Sequence, residues 1–342
     1  MGFEYLSKIP AAVEIKKEMP LSPQLAKDKK ERDKQIIDIL TGNSGKFLVI
    51  IGPCSADDED AILEYVEKLA KLQYEVKEKL LLVPRIYTNK PRTAGRGYKG
   101  MLHQPDPNEE PNIAEGIKAI RRMHIRSLEA TGLSAADEML YPDNYPYLDD
   151  LLSYVAVGAR SVENQQHLLT VSGLDVPVGI KNPTSGDLNV MLNSIEAAQS
   201  AHVFIYSGWE VKTSGNPYAH SILRGAVNQH GQNIPNYHYE DMTRLVDDYL
   251  KRPLKNPAIV VDTNHANSGK RFAEQTRIAI EVMQSLKTSA YLAKIIKGLM
   301  IESYLIEGSQ DASKALFGQS ITDPCLGWDD SRRLVLQLAE LL

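Results

Sequence analysis

From Phe47 onward the chain repeats one grammar: a short apolar run, an abrupt polar residue, then a longer amphipathic stretch. The runs are FLVIIGPC, LLLVPRIY, LSAADEM, YVAVGAR, VPVGIKNP, HVFIYS, PAIVVDTNH and IIKGLMIES. Such near-continuous apolar runs suit strands buried on both faces, as in parallel sheets. Between most of them lie helical patterns, including DAILEYVEKLAKLQYEVKEK, IAEGIKAIRRMHIRSLEATG and AEQTRIAIEVMQSLK, and WDDSRRLVLQLAELL ends the chain. Eight strand–helix units predict a (β/α)8 TIM barrel over an open doubly wound sheet, since barrels of about 250 residues are typical. No GxGxxG follows the first run and no GxxxxGK[ST] occurs, which lowers the weight of a nucleotide-binding sheet. One irregular segment is long, Thr88 to Pro111, and a loop of that length usually has a task.

Residues 1–45 read as a mainly helical N-terminal extension and 46–342 as the catalytic barrel. In the extension, Ser22-Pro23 starts a helix and Gly42-Asn43 stops it. Net charge is −5 with both signs interleaved, which argues against nucleic acid or an anionic membrane as partner. The N-terminus lacks the apolar core of a signal peptide, and no run approaches the roughly 20 apolar residues of a membrane helix. Two cysteines cannot supply a disulfide framework for 342 residues. A cytoplasmic location is the expectation.

A barrel carries its active site where the strands end, so the informative residue of each run is the one where apolar gives way to polar. In order these are Cys54, Arg85, Glu138, Arg160, Lys181, Ser207, His265 and Glu302. One set is cationic: Arg85, Arg160 and Lys181, joined by Lys90, Arg92 and Arg224. Six cations in one pocket of an acidic protein ask for a ligand with several phosphates or carboxylates, which arginine forks bind with paired hydrogen bonds. The other set is Cys54, His265 and Glu302, with Asp323 of SITDPC. Thiol, imidazole and carboxylates together suit a borderline divalent metal such as Mn, Fe, Co or Zn.

IGPCS, PRIYTNKPRT, GARSVENQ, PVGIKNPTSGD, TSGNPYAHSILRG, VDTNHANSGK, MIESYLIEGSQ and SITDPCLGWDD, in that order, resemble the class I (type I-alpha) 3-deoxy-D-arabino-heptulosonate 7-phosphate (DAHP) synthases. The resemblance implies a barrel enzyme that condenses phosphoenolpyruvate with erythrose 4-phosphate in the shikimate pathway, using one divalent metal per subunit. By motif, Cys54, His265, Glu302 and Asp323 would hold the metal. Arg85 and Lys90 would receive the phosphoenolpyruvate carboxylate, and Lys181, Arg160 and Arg224 its phosphate beside the backbone of Gly158 and Ala159. Arg92 and Thr93 would hold the phosphate of erythrose 4-phosphate. The expected catalytic residues are Lys90, Glu138, Lys181 and His265, with Glu138, near Lys181 and His265, read as the group that handles the water proton. The resemblance also implies a homodimer or homotetramer and an aromatic amino-acid effector.

Three departures stand out. Tyr98 occupies the place of a tryptophan before KG, only GWEVK separates HVFIYS from TSGN, and MLYPDNYPY and Asp175 differ from the residues lining the family's inhibitor pocket. Feedback inhibition is therefore expected to be altered or absent. Alternative readings are the related 3-deoxy-D-manno-octulosonate 8-phosphate synthases, against which KPRT argues, and a catalytically silent regulatory barrel.

Overall fold

The computed structural model describes residues 2–92, 95, 97–314 and 316–342. Its centre is an eight-stranded parallel sheet of β1 (Phe47–Gly52), β2 (Leu80–Pro84), β3 (Ala135–Glu138), β4 (Leu152–Val157), β5 (Val178–Lys181), β6 (Ala219–Leu223), β7 (Ile259–Asp262) and β8 (Ile296–Glu302). Neighbours run β2-β1-β8-β7-β6-β5-β4-β3. A parallel bridge from Arg85 to Ala136 brings the two ends together, so the sheet closes into the expected (β/α)8 barrel. Helices cover the outside, among them Glu59–Val76, Ile113–Thr131, Leu188–Gln199, Tyr239–Leu250 and Glu274–Thr288. Between β3 and β4 the crossover shrinks to a 3-10 turn, Pro142–Tyr147.

The sixth strand corrects the sequence reading. HVFIYS is a strand, Val203–Tyr206, but it pairs antiparallel with Trp209–Lys212 in a separate hairpin. Its turn is Ser207-Gly208, both at positive φ (50° and 80°), the geometry of a two-residue hairpin. Ser207 therefore sits at a hairpin tip and not at the barrel mouth, and GWEVK supplies the turn glycine and the hairpin's second strand. The barrel strand is AHSIL, whose central His220 and Ser221 hide a fully buried strand behind polar letters. Inside the barrel His220 is satisfied: its Nε2 lies 2.8 Å from the Tyr154 hydroxyl and its Nδ1 2.8 Å from the Tyr218 carbonyl.

Two helices precede β1, α1 (Ala12–Glu18) and α2 (Pro23–Leu40). Ser22 caps α2 by accepting from Leu25 N at 3.3 Å, with Pro23 in the first turn. Ile36, Ile39 and Leu40 of α2 close the lower end of the barrel, packing with Leu48, Leu81, Val83 and Val260. A second, larger apolar layer lies between the strands and the outer helices. Arg121 ties α1 to the barrel through a bidentate pair with Asp150 (2.7 and 2.9 Å) and a bond to Met19 O at 2.9 Å. Among the described residues no helix is long and apolar enough to cross a membrane.

Candidate active site

Seven of the eight strands deliver a charged or thiol group to the same end of the barrel. Glu138, Lys181, Asp262 and Glu302 are the last residues of β3, β5, β7 and β8, while Cys54, Arg85 and Arg224 follow β1, β2 and β6. A cavity of about 140 Å3 is lined by Cys54, Arg85, Lys90, Arg92, Glu138, Ala159, Arg160, Lys181, Arg224, His265 and Asp323. Lys270 and Thr184, which the strand-end reading passed over, line it too.

Two of the lining cations pack on an aromatic ring. The Tyr87 ring lies 3.7 Å from the Arg85 guanidinium carbon and 5.3 Å from Lys181 Nζ, so both buried cations meet the same π system. Arg85 is held further by Glu302, Nη2 to Oε1 at 2.9 Å, and by the Pro53 carbonyl. Both side chains of that ion pair are only 2% exposed, a placement that needs mutual neutralisation. Asn264 Nδ2 donates to the other Glu302 oxygen at 2.5 Å. Gln275 clamps the Glu302 backbone, accepting its N–H and donating to its carbonyl, each at 2.8 Å.

The acidic and thiol groups converge beside this pair. Ligand atoms of Cys54, Glu302 and Asp323 all lie within 4.8 Å of one another. His265 Nε2 approaches Glu302 Oε1 at 3.9 Å, and its Nδ1 faces Asp262 Oδ2 at 2.8 Å. That contact leaves Nε2 turned toward the cluster, the arrangement in which a carboxylate orients a metal-binding imidazole. His265 adopts φ 48°, a left-handed backbone that a non-glycine residue rarely takes. Lys90 Nζ lies 2.7 Å from Cys54 Sγ and 2.9 Å from Asp323 Oδ2, and Lys270 Nζ 3.0 Å from Asp323 Oδ1. The donor atoms of Cys54, Glu302 and Asp323 already gather, while His265 stands at their edge with Nε2 3.9 Å from Glu302 Oε1; a thiol and two carboxylates with an imidazole beside them fit a divalent ion of borderline softness.

Protonation states follow from these neighbours. Burial pushes the Glu138 carboxyl up, but Lys181, with Nζ 3.6 Å away, Arg85 and Lys90 outweigh it and hold the group below its ordinary value. Burial likewise raises Asp323, yet Lys90 and Lys270 hold it well below the usual carboxylate range. Burial, then Glu302, push the Cys54 thiol up against the pull of Lys90. A metal taken there would displace the thiol's proton.

The remaining predicted residues fall around the rim. Gly158 is buried against Glu138, whose Oε1 occupies the space a Cβ would need, and Arg160 beyond it is exposed. Arg224 is buried at the cavity wall. Arg92 Nε donates to Tyr98 O at 2.8 Å, and the buried Tyr98 hydroxyl reaches Ala56 O at 3.3 Å. Thr93 lies outside the described residues. The sequence reading took only His265 from VVDTNH and missed Asp262 and Asn264, which the polar letters of that run could have signalled, whereas Gln275 and Tyr87 carried no signal above their surroundings.

The chain matches the model of the DAHP synthetase I family over residues 14–336. It is 37% identical to the Trp-sensitive phospho-2-dehydro-3-deoxyheptonate aldolase of Enterobacter agglomerans, over 94% of this chain and 92% of the relative. It is 37% identical to the Phe-sensitive enzyme of that name from Escherichia coli strain K12, over 96% and 92%. The solved structure of phospho-2-dehydro-3-deoxyheptonate aldolase from Francisella tularensis superposes with a TM-score of 0.92 at 30% identity, covering 99% of this chain and 98% of that one. Family match, whole-length relatives and a shared barrel agree, and the chain belongs to the DAHP synthetase I family.

Proposed function

We propose that the barrel mouth condenses phosphoenolpyruvate with erythrose 4-phosphate and water, giving 3-deoxy-D-arabino-heptulosonate 7-phosphate and phosphate, the first step of the shikimate pathway. The observation that carries this reading is the meeting of a cation ring and a thiol, imidazole and carboxylate cluster in one cavity of a DAHP synthetase I chain. Two phosphates and a carboxylate must lie close together, and the cations offset their repulsion. Arg85 and Lys90 take the phosphoenolpyruvate carboxylate. Lys181, Arg160 and Arg224, with the backbone of Gly158 and Ala159, take its phosphate, and Arg92 with Thr93 takes the phosphate of the aldose.

Cys54, His265, Glu302 and Asp323 would hold one divalent ion, Mn, Fe, Co or Zn. When bound, such an ion supplies Lewis acidity toward an aldehyde oxygen. Carbon 3 of phosphoenolpyruvate bonds to the aldehyde carbon, the aldehyde oxygen takes a proton, water adds at carbon 2, and phosphate leaves with cleavage of its bond to that carbon. Glu138, held ionised by Lys181 and Arg85, is placed to accept the proton of the incoming water. Glu138→Gln is expected to lower turnover by about 100-fold or more with substrate KM values nearly unchanged. Full turnover in that variant would reject the assignment. Substrate choice is read by comparing erythrose 4-phosphate with arabinose 5-phosphate: preference for the latter would favour the octulosonate reading.

A second cavity, of about 900 Å3, supports an effector site. Lys29, Lys30 and Asp33 of α2, Tyr145 of the 3-10 turn, Asp175, and Phe204 and Tyr206 of the hairpin line it. Charges of both signs beside aromatic rings suit a zwitterionic aromatic amino acid, so altered inhibition is favoured over none. Titration of activity with Phe, Tyr and Trp tests this, and indifference to all three would reject it. The outer hairpin face exposes Val203, Ile205 and Trp209, and the N-terminal arm exposes Phe3, Tyr5 and Leu6. These surfaces support a homodimer or homotetramer, read by sedimentation. Two free cysteines, both buried, are consistent with a reducing cytoplasm.

A further inference from the structure

Asn182 of IKNP takes no part in the chemistry above, yet it joins two of the cations that do. It follows Lys181 at the end of β5, is wholly buried, and uses both lone pairs and both amide hydrogens. Its Oδ1 accepts from Arg224 N at 2.9 Å and from Asn236 Nδ2 at 3.1 Å. Its Nδ2 donates to the carbonyls of Pro183 and Gly225, each at 2.9 Å. Asn236 extends the lattice: its Oδ1 accepts from Gly225 N at 2.7 Å, and its N–H donates to Asn267 Oδ1 at 2.9 Å. Asn267 Nδ2 in turn donates to the Asp262 carbonyl at 2.7 Å. Three buried asparagines thus link the ends of β5, β6 and β7. Gly225, at φ +74°, completes the fit, because a Cβ there would lie 2.6 Å from Asn267 N.

Buried amides cost free energy unless every group is satisfied, and apolar packing could close these loops as well. What the lattice adds is position. Arg85 is fixed by Glu302, but among the described residues the Arg224 guanidinium makes one long contact, Nη1 to Gly225 O at 3.5 Å. Its place in the cavity is set through its backbone, and that backbone hangs on Asn182 and Asn236. Lys181 and Arg224 end adjacent strands, since Lys181 pairs with Ile222.

We propose that Asn182, Asn236 and Asn267 are positioning residues that hold Lys181 and Arg224 side by side as a fork for the phosphate of phosphoenolpyruvate. This rests on the functional reading of the mouth given above. In Asn236→Ala the KM for phosphoenolpyruvate and the inhibition constant of inorganic phosphate are expected to rise together by about tenfold, the effect of leaving a buried donor unpaired. The KM for erythrose 4-phosphate and the affinity for Mn(II) are expected to stay within about twofold, because Arg92 lies in the loop after β2, Cys54 and Glu302 lie at β1 and β8, and the Asn236 side chain bonds Gly225 and Asn182 and not His265. On an Arg224→Ala background the same substitution is expected to add nothing further to the phosphoenolpyruvate KM. Equal rises in both substrate KM values, no rise, or additive losses in the double variant would overturn the proposal. Should Asn236→Ala fold poorly, Asn236→Ser keeps an acceptor for Gly225 N and is expected to show the same selective pattern at roughly threefold. Calorimetry with inorganic phosphate separates the two readings. Binding weakened in the variant supports the lattice even if the wild type consumes no phosphoenolpyruvate, which would reject the functional reading alone, and equal binding in both proteins overturns the lattice.

Discussion

Below Tyr87 the barrel interior is apolar: Leu48, Leu81, Val83 and Val260 meet Ile36, Ile39 and Leu40 of α2, and the buried Tyr154–His220 pair is satisfied internally. Above it the same strands end in Glu138, Lys181, Asp262 and Glu302, with Arg85 between them, and all five are nearly as buried. The lower half is non-directional, so any side chains of the right volume would close it. In the upper half each charge is bearable only because a named partner faces it, as Glu302 faces Arg85 and Lys181 faces Glu138. Stability and chemistry are thereby segregated along one axis, with α2 serving the first and the strand ends the second.

The sharpest way to break this contrast is at the ion pair. Glu302→Ala leaves the Arg85 guanidinium buried without its carboxylate, and is expected to abolish activity and cost about 3–5 kcal/mol of stability, measured by urea denaturation. Next comes the plug: Ile36→Ala should cost roughly 2–5 kcal/mol while leaving both substrate KM values unchanged, and a changed KM would mean the two halves are coupled. The smallest effect separates them by pH. Burial, opposed by the Tyr218 carbonyl, holds His220 down to about 4, so the folded protein keeps it neutral where the unfolded chain takes up a proton. Its contribution is full above pH 6.5 and is lost as pH falls from 6.5 through 4, roughly 3 kcal/mol in all. His220→Gln should flatten the stability profile in that window, and an unchanged slope would place the acid sensitivity elsewhere.

Seven of the eight barrel strands were legible because runs such as FLVIIG and LLLVP are apolar nearly throughout, with the polar letter in most of them at an end. The sixth was hidden because a histidine and a serine inside a barrel look like surface residues until the Tyr154 hydroxyl answers them. HVFIYS misled for the converse reason, as a half-exposed hairpin carries the same β-branched and aromatic letters as a core strand. At the site, Cys54, Glu138, Lys181 and Glu302 could be read from where their runs end. Asp323, Lys90 and Arg92 lie off the strands and were joined to the two sets by residue type alone; which ligand each would hold came from resemblance, since long loops give no register. The asparagine lattice was not legible at all: Asn182, Asn236 and Asn267 resemble ordinary turn residues until their partners, far off in sequence, are seen.

The most direct measurement strips metal from the purified protein, restores Mn(II), and follows loss of phosphoenolpyruvate absorbance with erythrose 4-phosphate or arabinose 5-phosphate. Consumption that depends on the metal and occurs with erythrose 4-phosphate alone is the predicted result. A folded protein that binds the metal yet consumes phosphoenolpyruvate with neither sugar would contradict the account and point to a silent regulatory barrel.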